Sequence, residues 1–289
     1  MLLPDSSSVI RAHEDAGRRF RAGGTDSFVR EAGTGAPVVC LHGVPASSFL
    51  YRKVLAQLAA RGLRGVAFDL PGLGLAERPP DFDYTWTGLG RFCGAAIDAL
   101  GLDRFHLVVH DIGGPVGFEV AAAAPERVLS LTLLNTMVEV DRFERPWVME
   151  PFAVRGARRV WLGAMTRPSF LALMYLVGVK DPRASSPAEL ISYVDLLKRS
   201  DGGEAFLKIM RGFERTRAKR DLYVGAVHDA PYPVQVLWGR DDPALTPSGA
   251  GESVRRAAGL ERLDTVAGRH FLQEEQAPAI AERVAAAAS

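Results

Sequence analysis

Five apolar runs in this chain stop abruptly, four of them at or near a Gly, Asp or His and one at Asn-Thr: PVVCLHG (Pro37–Gly43), GVAFDLPG (Gly65–Gly72), FHLVVHDIGG (Phe105–Gly114), LSLTLLNT (Leu129–Thr136) and PVQVLWGRDD (Pro233–Asp242). They show little alternation. A strand with one wet face alternates apolar and polar residues. A run without alternation reads as a strand buried on both faces, in a parallel sheet covered by helices. Helical patterns separate the runs: Phe49–Arg61, with Leu50, Val54, Leu55 and Leu58, then Leu89–Leu100 and Val116–Ala124. This order predicts an α/β fold with a mostly parallel, doubly wound sheet.

Residues 138–229 break the rhythm. They hold Trp147, Met149, Phe152, Trp161, Met165, Phe170, Met174 and Tyr175 at helical spacings, with no strand run. The stretch is too long for one crossover. It reads as a helical cap, or lid, inserted into a core made of residues 1–137 and 230–289. An ordinary set of crossover helices is the alternative.

Composition narrows the function classes. A hydrophobic share of 47% with 24% charged residues excludes a disordered or fibrous chain. The net charge of +1 gives no electrostatic footprint for nucleic acid or an anionic membrane. It suits a small, largely apolar substrate. Cys40 and Cys93 form neither a disulfide framework nor a zinc spacing, so reduced thiols and a cytoplasmic setting are expected. The N-terminus lacks a signal-peptide pattern, and the best apolar run, Leu171–Val179, is far short of a membrane span. Nothing bears on homo-oligomer formation.

In open parallel sheets ligands lie beyond the carboxyl ends of the strands. Those ends carry His42-Gly43, Asp69, His110-Asp111, Asn135 and Asp241-Asp242; His270 follows a further apolar stretch, LDTVAG. Singly, each has an ordinary reading. Asp111 is a good helix N-cap, Asp242 precedes a proline in a turn, and a lone His is commonly structural. The order is more specific: a side chain at a strand-to-helix turn, an acid after a later strand, then a histidine near the C-terminus.

That order resembles the α/β-hydrolase fold, with Asp111 in V-H-D-I-G where a nucleophile elbow usually carries Ser. The pieces HGVPASSFLYRKV, DLPGLGLAERP, LVVHDIGGPVGF and HFLQEE resemble the branch of haloalkane dehalogenases and epoxide hydrolases, in which the nucleophile is Asp. The resemblance implies a triad of Asp111, Asp242 and His270, with Asp242 chosen over Asp241 by the pattern W-G-x-x-D. It implies an oxyanion hole from the backbone N–H groups of Val44 and Ile112. An ionised Asp needs no base before attack. It can displace a leaving group from an alkyl carbon, and His270 can then activate water against the ester. No metal or organic cofactor is required; Gly72-Leu73-Gly74 does not extend to a dinucleotide fingerprint.

Haloalkane dehalogenases hold the departing halide with two side-chain N–H donors. Here Ile112 and Val44 offer none, which leaves Trp161, and less readily Trp147, as the expected donor. Epoxide hydrolases use cap tyrosines, for which the chain offers Tyr175, Tyr193 and Tyr223. The expected substrate-binding residues are His42, Trp147, Trp161, Phe170 and Tyr175. The leading expectation is a haloalkane dehalogenase-like hydrolase acting on a small molecule and water. Epoxide hydrolysis is the runner-up, followed by ester or lactone hydrolysis or a non-catalytic ligand-binding homologue.

Overall fold

The computed structural model describes residues 4–154 and 156–288. Residues 1–3, Arg155 and Ser289, which fall within the core and cap spans read above, lie outside the described residues. Each apolar run forms a strand of one sheet. The strands are β1 (Gly17–Ala22), β2 (Thr25–Ala32), β3 (Pro37–Leu41), β4 (Arg64–Phe68), β5 (Phe105–Asp111), β6 (Val128–Thr136), β7 (Val234–Gly239) and β8 (Asp264–Val266). Their order is β1-β2-β4-β3-β5-β6-β7-β8. The pairs β1–β2 and β2–β4 are antiparallel, and all others are parallel. In β5 every residue before Asp111 is buried, which explains the missing alternation. The reading from apolar runs omits β1 and β2. Their sequences, GRRFRA and TDSFVREA, are charged because they form one edge of the sheet, where part of each strand meets water.

Helices cover both faces. They are α1 (Ser7–Asp15), α2 (Arg52–Ala59), α3 (Trp86–Ala99), α4 (Gly113–Ala123), α5 (Arg158–Ala164), α6 (Arg167–Leu173), α7 (Pro187–Lys198), α8 (Glu204–Arg211), α9 (Arg217–Val227), α10 (Glu252–Ala257), α11 (Leu272–Glu275) and α12 (Ala277–Ala288). α2 packs on α12, and α3 packs on α4. The stretch between β6 and β7 contains α5–α9 and no strand among the described residues. Its first part is less helical than the periodicity suggests: among its described residues, Val138–Ala157 holds only short 3-10 turns, Val140–Arg142 and Glu150–Phe152. Pro146 and Pro151 lack the N–H that a continuous helix would need.

Two motifs far apart in sequence meet in a buried charge cluster. The Arg52 guanidinium (α2) donates to both Glu274 oxygens (α11) at 2.6 and 2.8 Å, and to Glu189 (α7) at 2.8 Å. Lys53, Ser185 and Tyr193 also reach the Glu274 carboxylate. Burial alone would raise the Glu274 pKa, but Arg52 and Lys53 pull it down to about 2. The cluster thus ties core helix α2, insertion helix α7 and the segment just after His270 together.

The strand-to-helix turn at Asp111 depends on missing side chains. A Cβ on Gly113 would lie 2.4 Å from the Leu41 carbonyl oxygen, which is backbone and has no room to yield. A Gly113→Ala variant should therefore lose about 1–3 kcal/mol in urea denaturation. Gly94→Ala, in α3 with nothing near its Cβ, should be neutral or stabilising by up to about 1 kcal/mol. Glu274→Gln removes the buried charge from the cluster. Glu274 has a folded pKa below its unfolded 4.5, so its ionised form stabilises above that pH and the benefit is lost toward pH 2. The wild type should lose melting temperature more steeply than Glu274→Gln as pH falls through this window.

Candidate active site

β5 ends at the centre of the sheet, and its last residue, Asp111, adopts a left-handed conformation with φ 54°. A non-glycine residue seldom does so. The surroundings hold it there: the Thr136 hydroxyl donates to the Asp111 carbonyl at 2.6 Å. A Cβ on Gly43 would fall 2.2 Å from Asp111 Oδ1, so only glycine lets the β3 loop approach this close. The same approach brings the Val44 N–H onto Asp111 Oδ1 at 2.9 Å. The N–H of Ile112 also favours the charged carboxylate. Val44 and Ile112 thus both direct backbone N–H groups at the Asp111 carboxylate.

The other two sequence-selected residues converge on Asp111. His270 Nε2 lies 3.7 Å from Asp111 Oδ2, and His270 Nδ1 lies 2.9 Å from Asp242 Oδ2. Asp242 has no exposed side-chain surface. Its Oδ1 accepts from the N–H groups of Ala244 at 2.7 Å and Leu245 at 3.0 Å. Its Oδ2 also accepts from the Asn135 amide at 2.6 Å, whose own oxygen accepts from Gly239 N–H at 2.9 Å. Neighbouring Asp241 instead faces outward and pairs with Lys180 at 2.7 Å. One step along the turn therefore separates the buried acid from a surface one.

The electrostatics follow from burial and pairing. Burial alone would lower the His270 pKa, but Asp242 and Asp111 outweigh it and raise the value to about 10. Burial alone would raise that of Asp111, yet His270 and the Ile112 N–H hold it below its ordinary 3.8. Without substrate the pair is an imidazolium beside a carboxylate. His110, buried beneath them, bonds the His270 carbonyl through Nε2 at 2.8 Å. Burial and the nearby His270 push its pKa to about 3, so it stays neutral.

A cavity of about 680 Å³ including its mouth opens over Asp111 and His270. Its walls come from the strand-end loops (Val44, Pro45, Met137, Ala244, Phe271) and from the insertion (among them Phe143, Met149, Phe170, Met174 and Phe213). Of the five side chains expected to touch substrate, Phe170 lines this cavity and four do not. His42 is fully buried, with Nδ1 on the Gly43 carbonyl and Nε2 accepting from Leu70 N–H, so both nitrogens are committed to backbone. Trp161 and Trp147 are 51% and 70% exposed and line a shallow outer groove. On α5 it is Leu162 that points inward, and one step along a helix turns the neighbouring Trp161 outward by about 100°. Tyr175 lies behind the wall and offers its backbone carbonyl to Arg269. The other cap tyrosines are also committed: Tyr193 donates to Glu274, and Tyr223 to Glu119 at 2.7 Å.

Sequence reasoning passed over two residues. Glu274 stands in the quoted HFLQEE piece, but nothing local announces that Arg52 and Lys53 of YRK are its partners. Arg145 lines the cavity although it looks like any surface arginine in the sequence. Among the described residues there is no cluster of three metal-ligating side chains. No single helix among them is long and apolar enough to cross a membrane.

Residues 36–163 match the α/β hydrolase fold family. Haloalkane dehalogenase 2 of Mycobacterium tuberculosis is 30% identical over 227 residues, 75% of each chain. The haloalkane dehalogenase DbeA of Bradyrhizobium elkani superposes with a TM-score of 0.76 at 21% identity, over 94% of this chain and 98% of that one. The epoxide hydrolase VrEH1 of Vigna radiata does so with 0.73 at 23% identity, over 93% and 95%. At these identities the two structural likenesses speak for the fold.

The raised His270 pKa has a consequence for stability. A histidine whose pKa rises on folding stabilises most below its unfolded value near 6.5, and that contribution is lost as pH climbs toward about 10. Melting curves should show the wild type losing more stability across this interval than His270→Gln. Parallel curves for the two proteins would contradict the pairing.

Proposed function

Because this chain belongs to the α/β-hydrolase superfamily, in the branch of haloalkane dehalogenases and epoxide hydrolases, we propose that its hydrolysis runs through an alkyl ester on Asp111. Asp111 Oδ2 attacks a saturated carbon, a C–O bond forms, and the carbon–leaving-group bond breaks with its electron pair. Asp111 Oδ1 becomes the ester carbonyl and stays on the Val44 N–H. His270 then takes a proton from water, whose oxygen adds to the Asp111 carboxyl carbon. The resulting oxyanion is held by the N–H groups of Val44 and Ile112. Collapse breaks the bond to the alkoxide, which takes the proton held by His270 and leaves as the alcohol. The new Asp111 carboxylic acid gives its proton to His270, which restores the carboxylate and the imidazolium. For a halide, R–X and water give R–OH, H⁺ and X⁻.

The observation that carries this reading is the placement of one carboxylate, Asp111, between two backbone donors and a histidine backed by Asp242. The charge arrangement supports the two-step order. In the resting site His270 is an imidazolium, which cannot act as base. Esterification turns Asp111 from an anion into a neutral group and removes one of the charges that raise the His270 pKa. This lowers the His270 pKa, and the imidazolium releases its proton to solvent (the H⁺ of the overall equation), which leaves a neutral imidazole, still oriented by Asp242, to accept a proton from water. Residues 138–229 act as the lid of this site, because they supply most of its apolar wall.

Halide is favoured over epoxide oxygen as leaving group. An alkoxide needs a proton donor, and Tyr175, Tyr193 and Tyr223 are all absent from the cavity wall. A halide leaves as a stable anion without one. His270→Gln should accumulate the ester, seen by intact mass after exposure to bromoalkanes, while turnover drops by about 100- to 10,000-fold. Absence of any adduct in that variant, with the wild type active on the same compound, would exclude the covalent route. Diol formation from epoxides without halide release would move the assignment to the runner-up.

A further inference from the structure

Among the described residues, three side chains interrupt the apolar wall of the cavity: Asp111, His270 and Arg145. The Arg145 side chain is 8% exposed. Its Nη2 donates to the Met210 carbonyl at 3.1 Å, and its plane sits 4.8 Å from the Phe213 ring. Nη1 comes only within 3.6 Å of Glu150, a half-exposed side chain. Nε is buried without a partner. A guanidinium has five N–H donors, so this one keeps unused capacity beside an apolar space.

A second feature points the same way. Arg142, Arg215, Arg217 and Arg220 line a surface groove with Asp141, and Arg220 is paired to both Asp141 and Asp221. Arg215 donates to the carbonyl of Phe143, itself part of the cavity wall. Burial destabilises the Arg145 cation and Arg215 adds like-charge repulsion, with Glu150 only partly opposing. A desolvated cation of this kind is costly unless an anion meets it, and a positive groove raises the local concentration of anions.

We propose that Arg145 is the anion-binding residue of the Asp111 cavity. The chemistry is that of a monovalent anion received by charge-assisted N–H donors. It has two sources: the halide expelled from the attacked carbon, or a carboxylate carried by the substrate. In an in-line displacement the leaving group departs on the side of the carbon away from Asp111, so its donor stands apart from the nucleophile. No hydrogen bond or ion pair joins Arg145 to Asp111 among the described residues. With Trp147 and Trp161 outside the cavity, Arg145 is also, among the described residues, its one side-chain N–H donor besides His270.

The identity of the reaction rests on the ester reading above, whereas anion binding is measured without turnover. Full-length wild type, Arg145→Met and Arg145→Lys are titrated calorimetrically with sodium bromide and with sodium butyrate, after melting curves establish that each is folded. Arg145→Met should weaken binding of at least one anion by about 10- to 100-fold, with Arg145→Lys intermediate. Loss confined to bromide assigns the residue to the leaving group. Loss confined to butyrate assigns it to a substrate carboxylate, and loss of both fits one shared site. Equal affinities in wild type and Arg145→Met, or no binding of either anion by wild type, overturn the proposal. If Arg145→Met does not fold, the same comparison with Arg145→Lys decides, since an unchanged affinity for both anions overturns it. Ester trapping in His270→Gln is read separately, so a failed ester with intact Arg145-dependent binding refutes the reaction and leaves the anion site standing.

Discussion

The active-site geometry hangs on a carboxylate that takes no part in the proposed chemistry. Glu274 has no exposed side-chain surface, and such a group survives as an anion only if surrounded by donors. Arg52 and Lys53 come from the helix after β3, Ser185 and Tyr193 from the insertion, and Glu274 from the short helix after His270. Removing any one partner leaves charge uncompensated in a dry environment, so the elements are held mutually rather than pairwise. His270, the proposed base, sits on a segment fixed four residues downstream by this hub. Phe271, between them, packs on both His270 and Tyr193.

The site itself balances burial against charge. Asp242 is locked by three donors besides His270, and Asn135 supplies one of them from the end of β6. An amide there lends no charge, but it orients the acid whose charge orients His270. In the proposed mechanism, the resting imidazolium and its conversion to a base upon loss of the Asp111 charge both follow from one arrangement. The cavity above is apolar enough to make these interactions strong, and Arg145 is the exception that gives it polarity at a second point.

Much of this was legible in the chain. Runs without alternation can only be strands covered on both faces, and Asp111, Asp242 and His270 sit where such strands end. Their sequence order and flanking glycines carried the α/β-hydrolase resemblance. The backbone donors at Val44 and Ile112 came only with that resemblance, which places them on the loop after β3 and on the residue after Asp111. Less legible were the edge strands β1 and β2, whose charged faces look like loop sequence, and the irregular stretch from Val138 to Ala157.

The sequence determined which residues lie at the carboxyl ends of buried strands, because burial on both faces is written in local composition. It did not determine where side chains of the insertion point. Trp161 and Leu162 are adjacent, and a helix sends adjacent side chains in different directions, so which one is buried depends on how α5 is laid against the core. Tertiary structure alone turned Trp147 and Trp161 outward, committed His42 to backbone, paired YRK with Glu274 across more than two hundred residues and put Arg145 into the wall. Local chemistry sets the strand ends, whereas long-range packing sets the orientation of everything placed over them.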